Sequence, residues 1–315
     1  RMKNRVVIAG LDETGLLVAL GLYPEFDVIG ISPKPGVVSG QELGTRVARP
    51  ADWKRNYLTG FTRYRKLRGM PIRHGLIRSL SPEQNQLVVE NADGTSETLT
   101  YDALVLSMGV TSGFWRTPAL ETLEQVERSL ADVSAELAAA KSIAIVGGGA
   151  TAASSASNLK ETYPDKPVTL FFGKRGLLPE YHPKVRAKVR AQLERQGVDL
   201  RPDHRVVMPA GFAGERLTRE PLTFESGQAP FTADAVLWAV GQQRPNTSFV
   251  PAAMLDESGY VKADAQLRVP GFPNVFTVGD VAASDPNRSS ARNNGFLTVA
   301  HNIACLFAGR EGRMK

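Results

Sequence analysis

Cysteine is almost absent from this chain. Cys305 is the only one in 315 residues, which excludes an internal disulfide and every paired-cysteine redox motif. Redox chemistry here needs a bound cofactor, or thiols brought by a partner. Histidine is scarce too. His74, His182, His204 and His301 are far apart and lack metal-ligand spacing, so they read as surface or packing residues, and no Ser/His/Asp set stands out. No apolar run approaches the roughly 20 residues that span a bilayer. The early candidate, Gly15–Tyr23, is short and has no small-residue cleavage site, so no secretory leader is expected and a cytoplasmic location is the default.

What is present is an ordinary globular composition, 42% hydrophobic and 22% charged, with length for two domains of about 100–200 residues each. The net charge of +6 comes with two basic clusters. One is Lys184, Arg186, Lys188, Arg190 and Arg195, whose helical spacing reads as a solvated face. The other, Lys54–Arg73, is suited to steer an acidic partner electrostatically or to remain solvated. Neither accompanies a DNA- or RNA-reading motif, so no nucleic-acid partner is expected.

The chain is written twice. Residues 5–15, RVVIAGLDETG, read as a buried strand, a glycine turn and an apolar helix; residues 142–152, SIAIVGGGATA, repeat the design. Each is followed by a second apolar strand, Phe26–Ser32 and Pro167–Phe172, giving a βαβ unit of roughly 30 residues. Further on, Gln86–Glu90 and Glu97–Tyr101 flank a hairpin signal and lead into Asp102–Gly109. Leu222–Ser226 and a turn at Gly227 lead in the same way into Asp234–Gly241.

In such units the first glycine permits the turn, the second admits the pyrophosphate and the third packs helix on strand, while the helix N-terminus offers N–H groups to the phosphates. Gly147, Gly149 and Ala152 fill these places in the second copy, with Ala150 and Thr151 opening the helix. In the first copy Gly10 and Gly15 hold the outer places, but Asp12 stands at the central one, where it crowds and repels a pyrophosphate. The acid expected about 20 residues on, for a ribose 2′-hydroxyl, is missing from both copies. The first has Ser32 there; the second has Lys174 and Arg175, a basic pair suited to a 2′-phosphate, which favours NADPH over NADH.

Together these segments resemble the two-dinucleotide-binding-domain flavoproteins of the pyridine nucleotide–disulfide oxidoreductase superfamily. The branch they are most similar to is the apoptosis-inducing-factor-like and type II NADH dehydrogenase-like one, which lacks redox cysteines. The most specific segment is LRVPGFPNVFTVGD, residues 267–280. The resemblance implies two Rossmann-like α/β domains, each with a β-meander as in glutathione reductase, without the usual C-terminal interface domain or membrane-binding helices. The expected FAD domain is discontinuous, residues 1–110 and 245–315, with an NAD(P) domain of 111–244 inserted.

For FAD the resemblance singles out Gly10, Asp12, Thr14, Gly15, Ser32, Lys34, Pro35, Ser39, Gln41, Gly109, Gly279, Asp280 and Asn293. Asp280 is the ribityl ligand, and a helix over Ser289–Phe307 points its positive end at the flavin from near Arg292–Asn294. For NAD(P) it singles out Gly147, Gly149, Ala150, Thr151, Lys174, Arg175 and Gly241. Ser154 replaces a glutamate that relatives often place near the nicotinamide. The expected activity is hydride transfer from NAD(P)H to FAD and onward to a quinone, small-molecule or protein acceptor, with no catalytic side chain demanded and no metal. The alternatives are a binding or regulatory protein with weakened FAD affinity, motivated by Asp12, and a flavin monooxygenase. Oligomeric state is left open.

Overall fold

The computed structural model describes residues 2–38, 43–113, 116–240, 243–284 and 294–314. The first copy opens with β1 (Arg5–Ala9), α1 (Glu13–Leu22) and β2 (Asp27–Ser32). Val6, Val7, Ile8 and Ala9 are wholly buried, as an apolar run in a parallel strand covered on both faces must be. A short strand β3 (Gly36–Val38) follows, then helices α2 (Leu43–Ala48) and α3 (Pro50–Tyr57), and β4 (Leu58–Gly60), which pairs with β3. The long β5 (Ile72–Ser81), β6 (Gln86–Asn91) and β7 (Ser96–Thr100) form the antiparallel meander, and β8 (Ala103–Leu106) returns beside β1.

Beyond β9 (Val110–Thr111) and α4 (Leu123–Ala139), the second copy runs through β10 (Ile143–Val146), α5 (Ala150–Thr162), β11 (Val168–Phe171), α6 (Pro183–Arg195), β12 (Asp199–Arg201) and β13 (Ala235–Trp238). The chain comes back through β14 (Arg244–Pro245), β15 (Arg268–Val269), β16 (Phe272–Thr277) and α7 (Gly295–Phe307). Among the described residues the first sheet has the order β15-β16-β8-β1-β2-β5-β6-β7 and the second β12-β11-β10-β13. The outgoing β9 pairs with the returning β14, Thr111 opposite Arg244, so the two chain crossings form one ribbon.

Both copies share a frame residue for residue. Val6 pairs with Ala103 in the first, and Ile143 with Ala235 in the second. A Cβ on Gly10 would lie 2.5 Å from the Ser107 carbonyl oxygen, and one on Gly147 would lie 2.4 Å from that of Ala239. Both glycines hold positive φ, 94° and 142°, so the first glycine of each turn is required twice over, by conformation and by the carbonyl at the end of the neighbouring strand. The second meander is looser than the pattern of the first: its members meet through single bridges, Val206–Phe224 and Leu222–Phe231. The C-terminal helix, expected from Ser289, is described from Gly295, with Asn294 at its N-cap.

The pair α2–α3 had no signal in the hydrophobic pattern, and it ties the two halves together. Leu43, Val47 and Ala48 of α2 join the apolar core of the second sheet, beside Ala152, Ala156 and Leu159 of α5. The helices approach closely because Gly44 lies under Ser154, where an added Cβ would stand 2.5 Å from the Ser154 carbonyl oxygen. Ser154 is thus a helix–helix contact, and a longer side chain there would meet α2.

Candidate functional site

A cleft of about 700 Å³ crosses the ends of the first sheet's parallel strands, the usual place for a ligand in an open α/β sheet. Its walls bring together residues far apart in sequence: Gly10–Glu13 before and at the start of α1, Ser32 and Lys34 after β2, Gly75–Ile77 of β5, and Met108–Val110 after β8. Gly36 and Val38 of β3 also line it, whereas Pro35 sits in the bend just before them. Thr14, Gly15 and Gly279 stand behind the wall. A Cβ on Gly279 would be 3.2 Å from Thr14 Oγ1, and one on Gly15 only 1.9 Å from the Gly10 carbonyl oxygen.

The turn after β2 is closely tied down. Ser32 Oγ accepts from the Lys34 N–H at 3.1 Å, and Lys34 Nζ donates to the Ala119 carbonyl at 2.7 Å and to Glu121. Burial lowers the Lys34 pKa, and its contact with Glu121 opposes this. His74 Nε2 meets the Pro33 and Glu121 carbonyls, at 3.2 and 2.9 Å. Ser32, expected beside a ribose, serves the turn itself.

Three charged groups meet at the other end of the cleft. Arg116 donates to Asp280 at 2.7 Å, and both side chains are largely buried. Asp12 Oδ2 lies 3.0 Å, and Arg116 Nη2 3.9 Å, from the point where a Gly109 Cβ would stand. Burial pushes the Asp12 pKa up to about 6, against the attraction of Arg116, with Glu13 and Asp280 adding to the rise. Arg116 had escaped the sequence reading because its partner is 164 positions away. Arg46 had as well. It lies on the cleft wall, buried, with its guanidinium 5.0 Å over the Trp53 ring, and burial lowers its pKa to about 10, which leaves it cationic at neutral pH.

The second glycine turn is open where the first is filled. Gly149 is the N-cap of α5, and nothing lies within 4 Å of where its Cβ would be; Ala150 and Thr151 begin the helix behind it. Lys174 and Arg175 follow β11, and Arg175 pairs with Glu180 in solvent. The segment folds back so that the Leu178 N–H donates to the Gly148 carbonyl at 2.6 Å. Ser39, Gln41, Gly241 and Asn293 lie outside the described residues, as does Arg292. Among the described residues, the histidines hold local roles: His182 caps α6, His204 packs edge-on against Phe224, and His301 meets Cys305 on α7. No group of three or more His, Cys, Asp or Glu able to hold a metal occurs among the described residues. No helix among them is long and apolar enough to cross a membrane.

Two copies of a strand–glycine turn–helix unit, joined by a paired crossing and carrying a cleft across the first sheet, define an α/β protein built to hold two dinucleotides. Residues 65–302 match the family model for the pyridine nucleotide-disulphide oxidoreductases, and the chain belongs to that family. It is an oxidoreductase of the FAD- and NAD(P)-dependent kind. Apoptosis-inducing factor homolog B of Dictyostelium discoideum is 28% identical over 98% of this chain and 83% of its own length. Oxidoreductase ptaL of Pestalotiopsis fici is 27% identical over 71% of this chain, which spans 59% of that protein.

Among solved structures, reduced Bacillus anthracis CoADR-RHD superposes with a TM-score of 0.77 at 17% identity, covering 100% of this chain and 58% of that one. The covalent putidaredoxin reductase–putidaredoxin complex gives 0.72 at 21%, covering 100% and 78%. Water-forming NADH oxidase from Lactobacillus brevis, bound to NADH, gives 0.72 at 18%, covering 95% and 69%. These likenesses establish the fold.

Proposed function

We propose that the chain oxidises NAD(P)H, with NADPH preferred, and passes the electrons through FAD to a quinone, a small molecule or a protein. The observation that carries this reading is the cleft across the strand ends, with Gly10–Glu13, Ser32, Gly75–Ile77 and Gly109 on one continuous wall. That order suits an extended dinucleotide, with its adenosine towards Ser32 and Gly75 and its pyrophosphate at the start of α1. Cations and donors suited to an anionic ligand stand along it, namely Arg46, Arg116 and the N–H groups of α1. The fit is good except at Asp12.

When bound, FAD supplies the hydride acceptor and the onward electron carrier. The chain's own residues position and shield. Asp280 would take the ribityl hydroxyls once Arg116 turns from it, Gly149 would leave room for a second pyrophosphate, and Lys174 and Arg175 would offer charge to a 2′-phosphate. On this reading residues 1–110 and 245–315 form the FAD domain and 111–244 the NAD(P) domain, with α2 reaching across. For a protein acceptor, the basic segment supplies a docking charge. Lys54, Arg55 and Arg73 have partners in Glu127, Asp52 and Glu97; Arg63, Arg65, Lys66 and Arg68 are exposed just past β4.

The test is the visible spectrum of the purified protein and its anaerobic titration. Flavin bands bleached at lower NADPH than NADH concentration support the reading. A colourless protein that takes up no added FAD sinks it in favour of a binding role, the alternative that Asp12 motivates. Substrate-dependent oxygen insertion points instead to a monooxygenase.

A further inference from the structure

Asp12 occupies the place that Gly149 holds in the second copy, and it is the feature that the cofactor reading leaves unexplained. Its carboxylate lies on the cleft wall at the N-cap of α1, where the Gly15 N–H favours its charged form against burial. The groups that face it are Arg116 from the segment after β9, Asp280 from the end of β16, and Glu13 beside it. Lys34, Glu121 and Arg46 stand further along the wall, near one another.

Arg116 thus binds Asp280 and attracts Asp12 before any ligand arrives. Among the described residues, a pyrophosphate would add its two negative charges to those of Asp12, Glu13 and Asp280, against Arg116, in surroundings that screen charge less than water does. Moving Arg116 from Asp280 to the phosphates changes its partner without changing that sum. Adding a proton does change it. A neutral Asp12 removes one negative charge, and its O–H becomes a hydrogen-bond donor directed at the phosphate oxygens.

We propose that Asp12 binds the dinucleotide pyrophosphate as the neutral acid, donating its O–H to a phosphate oxygen, so that FAD binding takes up one proton from solvent. The proposal rests on the FAD reading above. The direction of its pH dependence follows from linkage. Burial already holds the Asp12 pKa near 6 in the free protein, and an adjacent anion raises it further in the complex. Below the free value Asp12 is protonated in both states and affinity is flat. Between the free and bound values each binding event takes up a proton, and the dissociation constant rises with pH, towards about tenfold per unit. The phosphates of FAD do not titrate in this range.

The experiment strips the flavin and titrates the apoprotein with FAD by fluorescence quenching from pH 5.5 to 8.5. Calorimetry at pH 7.5, in two buffers of different ionisation heat, counts protons. The native protein is expected to show the rising dissociation constant and an uptake approaching one proton. Asp12→Asn keeps a donor without a charge, so it should bind tightly at every pH with no uptake. Asp12→Gly should also lose the slope, and circular dichroism checks that both variants fold. A pH-independent affinity in the native protein, or the same slope in Asp12→Asn, overturns the proposal while leaving FAD binding intact. Failure to take up FAD at any pH overturns the cofactor reading, and this proposal with it.

Discussion

Replacing Lys174 and Arg175 together by serine and alanine is expected to remove the preference for NADPH while leaving NADH use unchanged. The size follows from how exposed the two cations are. A charge-assisted hydrogen bond in a protected site contributes about 1.5–3 kcal/mol, but exposed pairs contribute about 0.2–1 kcal/mol. Arg175 is 77% exposed and already bound to Glu180, itself 72% exposed, so a 2′-phosphate gains only the difference between two anionic partners. Counting about 1 kcal/mol for Lys174 and about half that for Arg175 gives roughly a tenfold loss in NADPH affinity. The same reasoning gives a second arm. Glu180→Gln frees Arg175 and should strengthen NADPH binding about twofold to threefold, with more effect at low than at high ionic strength. The assay is anaerobic stopped-flow flavin reduction over a concentration series of each nucleotide. An equal loss for NADH and NADPH in the double variant, or weaker NADPH binding in Glu180→Gln, refutes the assignment.

Three further outcomes are expected. Asn302→Leu should lower stability by roughly 2–4 kcal/mol, since its buried amide donates to the Gln266 and Arg313 carbonyls and accepts from the Arg313 N–H; thermal melting and tail proteolysis read it, and an unchanged melting temperature contradicts it. Gly44→Val should cost more than about 2 kcal/mol in thermal unfolding, by driving α2 off the Ser154 carbonyl, whereas Gly94→Ala, a positive-φ turn with no atom near its Cβ position, should cost only about 1 kcal/mol. Reversing Arg63, Arg65, Lys66 and Arg68 to glutamate should slow reduction of an acidic protein acceptor severalfold at low salt and leave ferricyanide reduction unchanged; equal effects on both would remove this segment from docking.

Much of the frame was readable because its signals are local. Val6–Ala9 and Ile143–Val146 announce buried parallel strands, and Gly10 and Gly147 announce turns within a few residues of them. The meander of the first sheet was readable from alternation around the turn at Gly94. The unreadable parts depend on contacts between distant segments. Nothing around Arg116 marks it as the partner of Asp280, and nothing around Arg46 marks it as buried, because Trp53 and the cleft wall that enclose it come from other elements. The α2 helix lacks a strong periodic pattern of its own; at 6 residues it is held by packing on α5, which only the folded chain supplies. The second meander is present as single bridges, Val206–Phe224 and Leu222–Phe231, since a matching residue order does not guarantee a continuous ladder.

The comparison of the two copies isolates what is particular to this chain. Their strand registers and first glycines agree, and Ala152 packs near Gly147 as Gly15 packs on Gly10, so the constraints that hold helix to sheet are met in both. Within the turn the copies differ most at the central position, with space above Gly149 and a carboxylate at Asp12. The consequences of that difference fall on whatever approaches from the cleft. A nucleotide at Gly149 meets bare backbone, whereas one at Asp12 meets a group whose charge depends on its neighbours. Burial does most to set that charge, with Arg116 opposing it and Glu13 and Asp280 adding to it, so an FAD held at the first site would feel the return strand that carries Asp280. Arg116→Gln should therefore raise the Asp12 pKa further, as read by NMR titration of its carboxyl, and an unchanged value would refute the coupling.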